Sequence, residues 1–257
     1  MRAIDLNCDL GESYGAWRMG EDEAVLAQIS SANIACGFHA GDPDTMRRTV
    51  RLAAAHGVAI GAHPSLPDLQ GFGRRELAVS ADEAYAMTLY QIGALAAFAR
   101  GAGSALHHVK PHGALYNMAA RDASLAAAIA AAVADFDRHL ILVGLAGSAL
   151  PQAGRAAGLA VAAEAFCDRR YRADGSLTPR REAGAVIHEV DAAVAQGLSI
   201  ALYGEVIAGD GSKVAVAADT LCIHGDKPDA AVFAKRLRAA LLDAGITIAA
   251  PVRGAQA

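Results

Sequence analysis

Residues 5–12 read Asp5-Leu6-Asn7-Cys8-Asp9-Leu10-Gly11-Glu12. A short strand opens almost at the N-terminus and runs straight into Asn7, Asp9 and Glu12. Strand interiors disfavour Asp and Asn, whose short side chains compete for backbone hydrogen bonds. Such a cluster at a strand's end therefore points to a site rather than a core, and Gly11 lets the chain turn sharply after it. Strand-like segments also end in Cys36-Gly37-Phe38-His39, Gly61-Ala62-His63-Pro64, Lys110-Pro111-His112-Gly113 and His224-Gly225-Asp226. Five strand ends that carry His or carboxylate beside Gly or Pro are what a barrel of parallel strands, with its chemistry on the C-terminal rim, would produce. Asp9, His39, His63, His112 and His224 are expected on one rim, in one cleft, with Asp9 contributing little to the core.

The remaining chain fits this frame. At 257 residues it is read as a single (β/α) barrel domain spanning 1–257, of irregular seven-stranded TIM-like type, with a doubly wound open sheet as the structural alternative. Helices are expected at about 22–29, from Asp42-Pro43-Asp44 to Gly57, from the capping box Ser80/Glu83 to about 100, after Lys110-Pro111 to about 136, at 185–196 ending at Gly197, and at 228–243. Asp210-Gly211 separates two alternating runs, so a hairpin insertion is expected near 199–220.

Apolar residues make up 54% of the chain but aromatics only 5%, which means Ala-rich helices that pack closely on a sheet. A net charge of −4 argues against nucleic acid and anionic membranes as partners. The Ala-rich run at 123–134 is too short for a membrane span, and Asp5 interrupts any apolar leader. Cys8, Cys36, Cys167 and Cys222 form no CxxC pair, so a reducing, cytoplasmic compartment is the expectation.

Asp9, Glu12, Asp42, Asp226 and four rim histidines are too many titratable groups to serve structure alone. Asp9 with two histidines suits a divalent ion that keeps open positions, and the same residues suit metal-free acid/base catalysis. His107 and His108 are adjacent in a strand, so one faces the barrel axis and the other the helices. Lys110, Arg74, Arg75, Arg169 and Arg170 are candidates for holding a carboxylate or phosphate. Neither a phosphate-cradling GxxxxGK loop nor a dinucleotide fingerprint is present.

The motifs DLNCDLGE, NIACGFHAGDP, GAHPSLPDLQGFGRRE, HVKPHGALYN, DRRYRADGSL and CIHGD, in this order, resemble the LamB/YcsF family from about residue 4 to residue 250. The resemblance implies the A subunit of a prokaryotic ATP-hydrolysing 5-oxoprolinase, which with subunits B and C cleaves 5-oxo-L-proline to L-glutamate using ATP as co-substrate. It also implies a seven-stranded barrel similar to those of polysaccharide deacetylases, where a metal is held by an Asp after strand one and two histidines. The matching positions here are Asp9, His63 and His112, with His39 as competitor. On this reading the catalytic residues are Asp9, Glu12, His39, His63, Lys110 and His112, and substrate is bound by Asn7, Asp42, Arg74, Arg169, Tyr171 and His224. The alternatives are a metal-dependent deacetylase of an N-acetyl sugar and a non-catalytic subunit of the assembly. Cys167 stands where a small residue is expected, and Ser65-Leu66 where Gly and an aromatic are expected.

Overall fold

The structure is a computed structural model that describes residues 2–225 and 229–252. Asp226 and the first expected residue of the last helix lie outside the described residues. Strands β1 (Ala3–Leu10), β2 (Ser31–Ala35), β3 (Ala59–His63), β4 (Leu106–Val109), β5 (Ile141–Leu145), β6 (Ala160–Phe166) and β9 (Thr220–Ile223) are all parallel. They pair in that order, and β9 pairs with both β6 and β1, which closes a seven-stranded barrel and excludes the open-sheet alternative. A two-residue strand, β10 (Thr247–Ile248), extends β1 at its N-terminal end.

Helices α1 (Asp22–Leu26), α2 (Pro43–Ala55), α3 (Ala81–Gly101), α4 (Gly113–Arg121), α5 (Ala123–Phe136), α6 (Ala149–Ala156), α7 (Val190–Tyr203) and α8 (Ala230–Asp243) follow the strands. Local chemistry sets several ends. Asp42 caps α2 by accepting from the amides of Asp44 and Thr45, and Ser80 with Glu83 forms the capping box of α3. Three expectations shift. The stretch to 136 is two helices, because Asp122 ends α4 and caps α5. Helix α1 stops at Leu26, short of 29. Helix α7 runs through Gly197, where a Cβ would lie 2.7 Å from Leu237 Cδ1: this glycine is a close-packing position, and Gly204, in the left-handed region at φ 67°, ends the helix. The hairpin β7 (Glu205–Ile207) and β8 (Lys213–Ala215) follows directly.

Alternation along β1 divides its residues between two environments. Leu6, Cys8 and Leu10 enter the apolar layer under the helices, while Asp5, Asn7 and Asp9 hydrogen-bond with one another's neighbours across the lumen. The lumen is therefore polar, unlike the layers of branched aliphatics that usually fill such barrels. At its floor Ser30, Ser31 and Thr220 donate hydroxyl hydrogen bonds to Asp5, and higher up Asn7 donates to Glu164 and Thr220. Gly61 on β3 pairs with His108 on β4, and a Cβ there would stand 2.0 Å from His108 Nε2: the missing side chain makes room for an imidazole inside the barrel. His108 is thus the inward member of the adjacent pair, 1% exposed, and donates to Asn33.

Asp5 gives the lumen a pH signature. Burial pushes its carboxyl up to about 6, against the hydroxyls of Ser30, Thr220 and Ser31, which pull it down. The folded chain thus holds this proton more tightly than the unfolded chain, in which Asp titrates near about 3.9. The stability linked to Asp5 is fullest below about pH 4, falls as pH rises to about 6, and stays lower above that. A shift of this size corresponds to about 3 kcal/mol. Urea unfolding at about pH 4 and about pH 7 should show the wild type losing roughly that much more than Asp5→Asn across the window; identical pH dependences would contradict it.

Candidate functional site

The C-terminal rim gathers two histidine rings fixed by backbone carbonyls. His63, the last residue of β3, donates from Nδ1 to the carbonyl of Lys110 at 2.7 Å. His112 donates from Nε2 to the carbonyl of Phe72 at 2.9 Å. A carbonyl can only accept, so these bonds fix both tautomers. The remaining nitrogens, His63 Nε2 and His112 Nδ1, face each other at 2.9 Å. Two neutral rings would oppose lone pairs there, so the contact calls for a proton or a cation between them. Asp9 Oδ2 lies 3.4 Å from His63 Nε2, and Glu12 Oε1 lies 3.5 Å from His112 Nδ1 and 3.0 Å from His39 Nε2. His39 stacks on His112 with centroids 3.8 Å apart. Glu12, His39, His63 and His112 each bring one ligand atom within 4.8 Å of the others. Imidazole nitrogens and carboxylate oxygens around one point fit a divalent ion such as zinc.

The loop 64–79 builds the roof of this cluster. Phe72 is, among the described residues, the one non-glycine residue at positive φ, 55°. Left-handed backbone at a bulky residue costs on the order of 1–3 kcal/mol. In return it aims the Phe72 carbonyl at His112 and packs the ring edge-on against His39 and His112. Asp68 holds the turn by accepting from Gly71 N and pairing with Arg75. Gly73 cannot be replaced freely, since a Cβ would stand 2.2 Å from Ser65 Oγ.

Beneath the histidines lies a buried ammonium. Lys110, just past β4, donates to Asp9 Oδ1 at 2.8 Å, to Asn7 Oδ1 at 3.0 Å and to Cys222 Sγ at 3.1 Å, and pairs with Glu164 Oε1 at 2.8 Å. Burial opposes its charge, but Asp9, Cys222 and Glu164 outweigh burial and hold the ammonium well above its usual range. Burial likewise opposes the Asp9 carboxylate; His63 and Lys110 overcome it and hold Asp9 well below the usual carboxylate range. Burial, followed by neighbouring imidazoles, pushes His39 and His112 well below the usual histidine range. The rim thus offers an ionised carboxylate, an ammonium and the neutral imidazoles of His39 and His112 in one buried cluster.

Residues 4–256 match the sequence profile of the LamB/YcsF family. The chain belongs to the LamB/YcsF family. It is 63% identical over 248 residues to a Bordetella pertussis protein named as the A subunit of 5-oxoprolinase, covering 96% of this chain and 98% of that one. It is 64% identical over 249 residues to the Methylococcus capsulatus protein of the same name, covering 97% and 96% of the two chains. Among solved structures it is similar to a lactam utilization protein from Thermus thermophilus, with 52% identity, TM-score 0.92, and 97% and 100% of the two chains covered.

Within this LamB/YcsF chain the residues singled out in the sequence fall into two groups. Asp9, Glu12, His39, His63, Lys110 and His112 meet as described. His224 reaches the same rim: Asp9, Cys222 and His224 bring ligand atoms within 4.8 Å of one another, and the His224 ring stacks on Phe166, whose face lies 5.9 Å from Lys110 Nζ. Arg74 covers Phe72 at 4.8 Å, and Arg169 is buried, as is its neighbour Asp168. Three others have occupied side chains. Asn7 is spent on the lumen network, Asp42 on the cap of α2 and the amide of Gly15, and the Tyr171 hydroxyl accepts from the amide of Phe166. Asp9 sits inside β1 and is 8% exposed, so it is a partner of the buried ammonium and contributes to the core, contrary to expectation. Cys167 is buried and its thiol is pushed well up by burial and Asp168, which removes it as a nucleophile. Sequence reading missed Glu164, Asn33 and Arg180. Glu164 alone had a signal, as the single acid in the run AVAAEAF.

The histidine pair makes a direct prediction. Calorimetric titration of the chelator-treated chain with Zn²⁺ should give one site per chain and release protons, since the shared proton must leave. His112→Ala should weaken binding at least about tenfold. No binding, or binding untouched by the substitution, would leave a proton as the occupant.

Proposed function

We propose that this chain is the A subunit of an ATP-dependent 5-oxoprolinase and carries the site where the lactam of 5-oxo-L-proline is opened to L-glutamate. The observation that carries the reading is the meeting of Asp9, Lys110, His63 and His112 in one buried cluster, in a chain whose relatives are named for this activity. Relatives named as one lettered subunit support a multisubunit assembly, and subunits B and C are the partners proposed. Among the described residues no helix is long and apolar enough to cross a membrane.

A five-membered lactam is an unstrained amide and resists hydrolysis at neutral pH. Transfer of the terminal phosphoryl group of ATP to the lactam oxygen, with ADP leaving, makes the ring carbon electrophilic. Water then adds to that carbon and loses a proton to a base. The C–N bond breaks as the ring nitrogen takes a proton, leaving an acyl phosphate that a second water hydrolyses to glutamate and phosphate. Asp9, held ionised, is suited to accept a hydrogen bond from the attacking water and orient it, and Lys110 stabilises negative charge on oxygen. With no ion between the rings, the neutral His112, tethered to Phe72, is suited to move a proton to or from the leaving nitrogen. A divalent ion held by His63 and His112 with Asp9 or Glu12 would supply Lewis acidity at the same carbonyl. With no nucleotide loop in the sequence, ATP binding is assigned to the assembly rather than to this chain alone.

Two outcomes test this. The chain reconstituted with subunits B and C should release glutamate from 5-oxoproline only with ATP, and the isolated chain should show little turnover. Robust ATP-dependent turnover by the pure chain would refute the division of labour, and an inactive complete assembly would refute the function. In the active assembly Asp9→Asn should lower kcat by about 10²- to 10⁴-fold, with the fold retained because Glu164 still pairs the ammonium. Near-wild-type turnover would remove Asp9 from the chemistry.

A further inference from the structure

The excursion between β6 and α7 carries a second cluster that the catalytic scheme leaves unused. Arg169 is 5% exposed. Its Nη2 donates to the carbonyl of Thr178 at 2.7 Å, while its Nε, fully buried, has no hydrogen-bond partner among the described residues. Burying a guanidinium with an unmatched donor is costly, and an N–H left so is a demand for an acceptor. Close by, the His224 ring is oriented by Asp168, which accepts from Nδ1 at 2.9 Å, and His224 Nε2 accepts from Arg180 Nη2 at 2.7 Å. Arg180 itself is exposed. Burial and then the like charge of Arg180 push Arg169 down to about 10, against Asp168 and Tyr171, which pull it up. A ring nitrogen of His224 also lies within 4.8 Å of a carboxylate oxygen of Asp9, so this cluster adjoins the Asp9–Lys110 site.

We propose that Arg169 and Arg180, with His224 as their spacer, form the subsite that takes the carboxylate of the substrate. The inference rests on the 5-oxoproline reading and adds how that substrate is oriented. A planar guanidinium fork matches a carboxylate in two parallel hydrogen bonds. Seating the carboxylate there gives the buried Nε–H an acceptor. It also points the lactam at Asp9, Lys110 and the histidine pair. The arginines then select for acids over neutral lactams of the same ring.

The test uses the complete three-subunit assembly with 5-oxoproline, its carboxamide and 2-pyrrolidone. Arg180→Leu leaves the core intact, because the residue is exposed. It should raise KM for 5-oxoproline about 10- to 100-fold with kcat changed less than about threefold. Preference for the acid over the carboxamide should fall by the same factor, and Arg180→Lys should restore part of it. Unchanged KM and preference in Arg180→Leu, in an assembly that still turns over 5-oxoproline, overturn the subsite and leave the function standing. A wild-type assembly that never turns over 5-oxoproline overturns both. Inorganic phosphate competing with ATP, and losing that competition in Arg180→Leu while the KM for 5-oxoproline holds, would make this a phosphate site and overturn the carboxylate assignment.

Discussion

The ammonium of Lys110 is the group on which the rest of the site depends. Withdrawing a charge from water costs several kcal/mol, and only good geometry returns it. Here Asp9 on β1, Glu164 on β6 and Asn7 on β1 surround the nitrogen at 2.8–3.0 Å, so strands on opposite sides of the lumen are tied to one residue after β4. Removing one partner from such a buried pair typically costs about 3–5 kcal/mol. The ammonium also decides the state of Asp9. With His63 it keeps that carboxylate ionised in a pocket that would otherwise protonate it. A structural demand and a chemical one thus coincide in a single side chain.

Orientation above the ammonium is set by amides rather than by charge. His108 donates from Nε2 to Asn33 Oδ1, which leaves Asn33 Nδ2 to donate to Asp9 and Asn7. Reversing the Asn33 amide would turn its oxygen toward the ionised carboxylate of Asp9, which has no hydrogen to donate. The chain of donors therefore has one direction, and Asp9 is left with Oδ2 facing His63. Gly61 belongs to the same device, because only a residue without a side chain admits the His108 ring.

Much of the barrel is legible in the sequence because polar residues at strand ends have no other cheap explanation. Asp9, His63 and His112 stand out for that reason, and the caps at Asp42 and Ser80 obey local chemistry. Closure is not legible, since the pairing of β9 with β1 joins residues more than 200 positions apart and leaves no local trace. Nor is the inward face of Leu106–Val109, where both histidines look alike until Gly61 opposite admits one of them. Gly197 illustrates the opposite failure. It reads as a helix stop, yet tertiary contact with Leu237 and Cys167 overrides its weak propensity. Arg180 lies in an irregular stretch, where neither a hydrophobic period nor a cap marks it in the sequence.

The same contrast explains how the fold divides its labour. Groups that must hold a fixed charge or tautomer sit on strands or are bolted to backbone carbonyls, as His63 is to Lys110 and His112 to Phe72. Arg74 and Arg180 come from the loops after β3 and β6. Rigid strands keep the donors of a short-lived charged intermediate within tenths of an ångström, which is where electrostatic stabilisation is effective. Loops tolerate the motion that entry to a pocket this buried requires. The strained Phe72 joins the two regimes. Its ring belongs to the roof and its carbonyl to the His112 imidazole, so any movement of the roof is felt at His112.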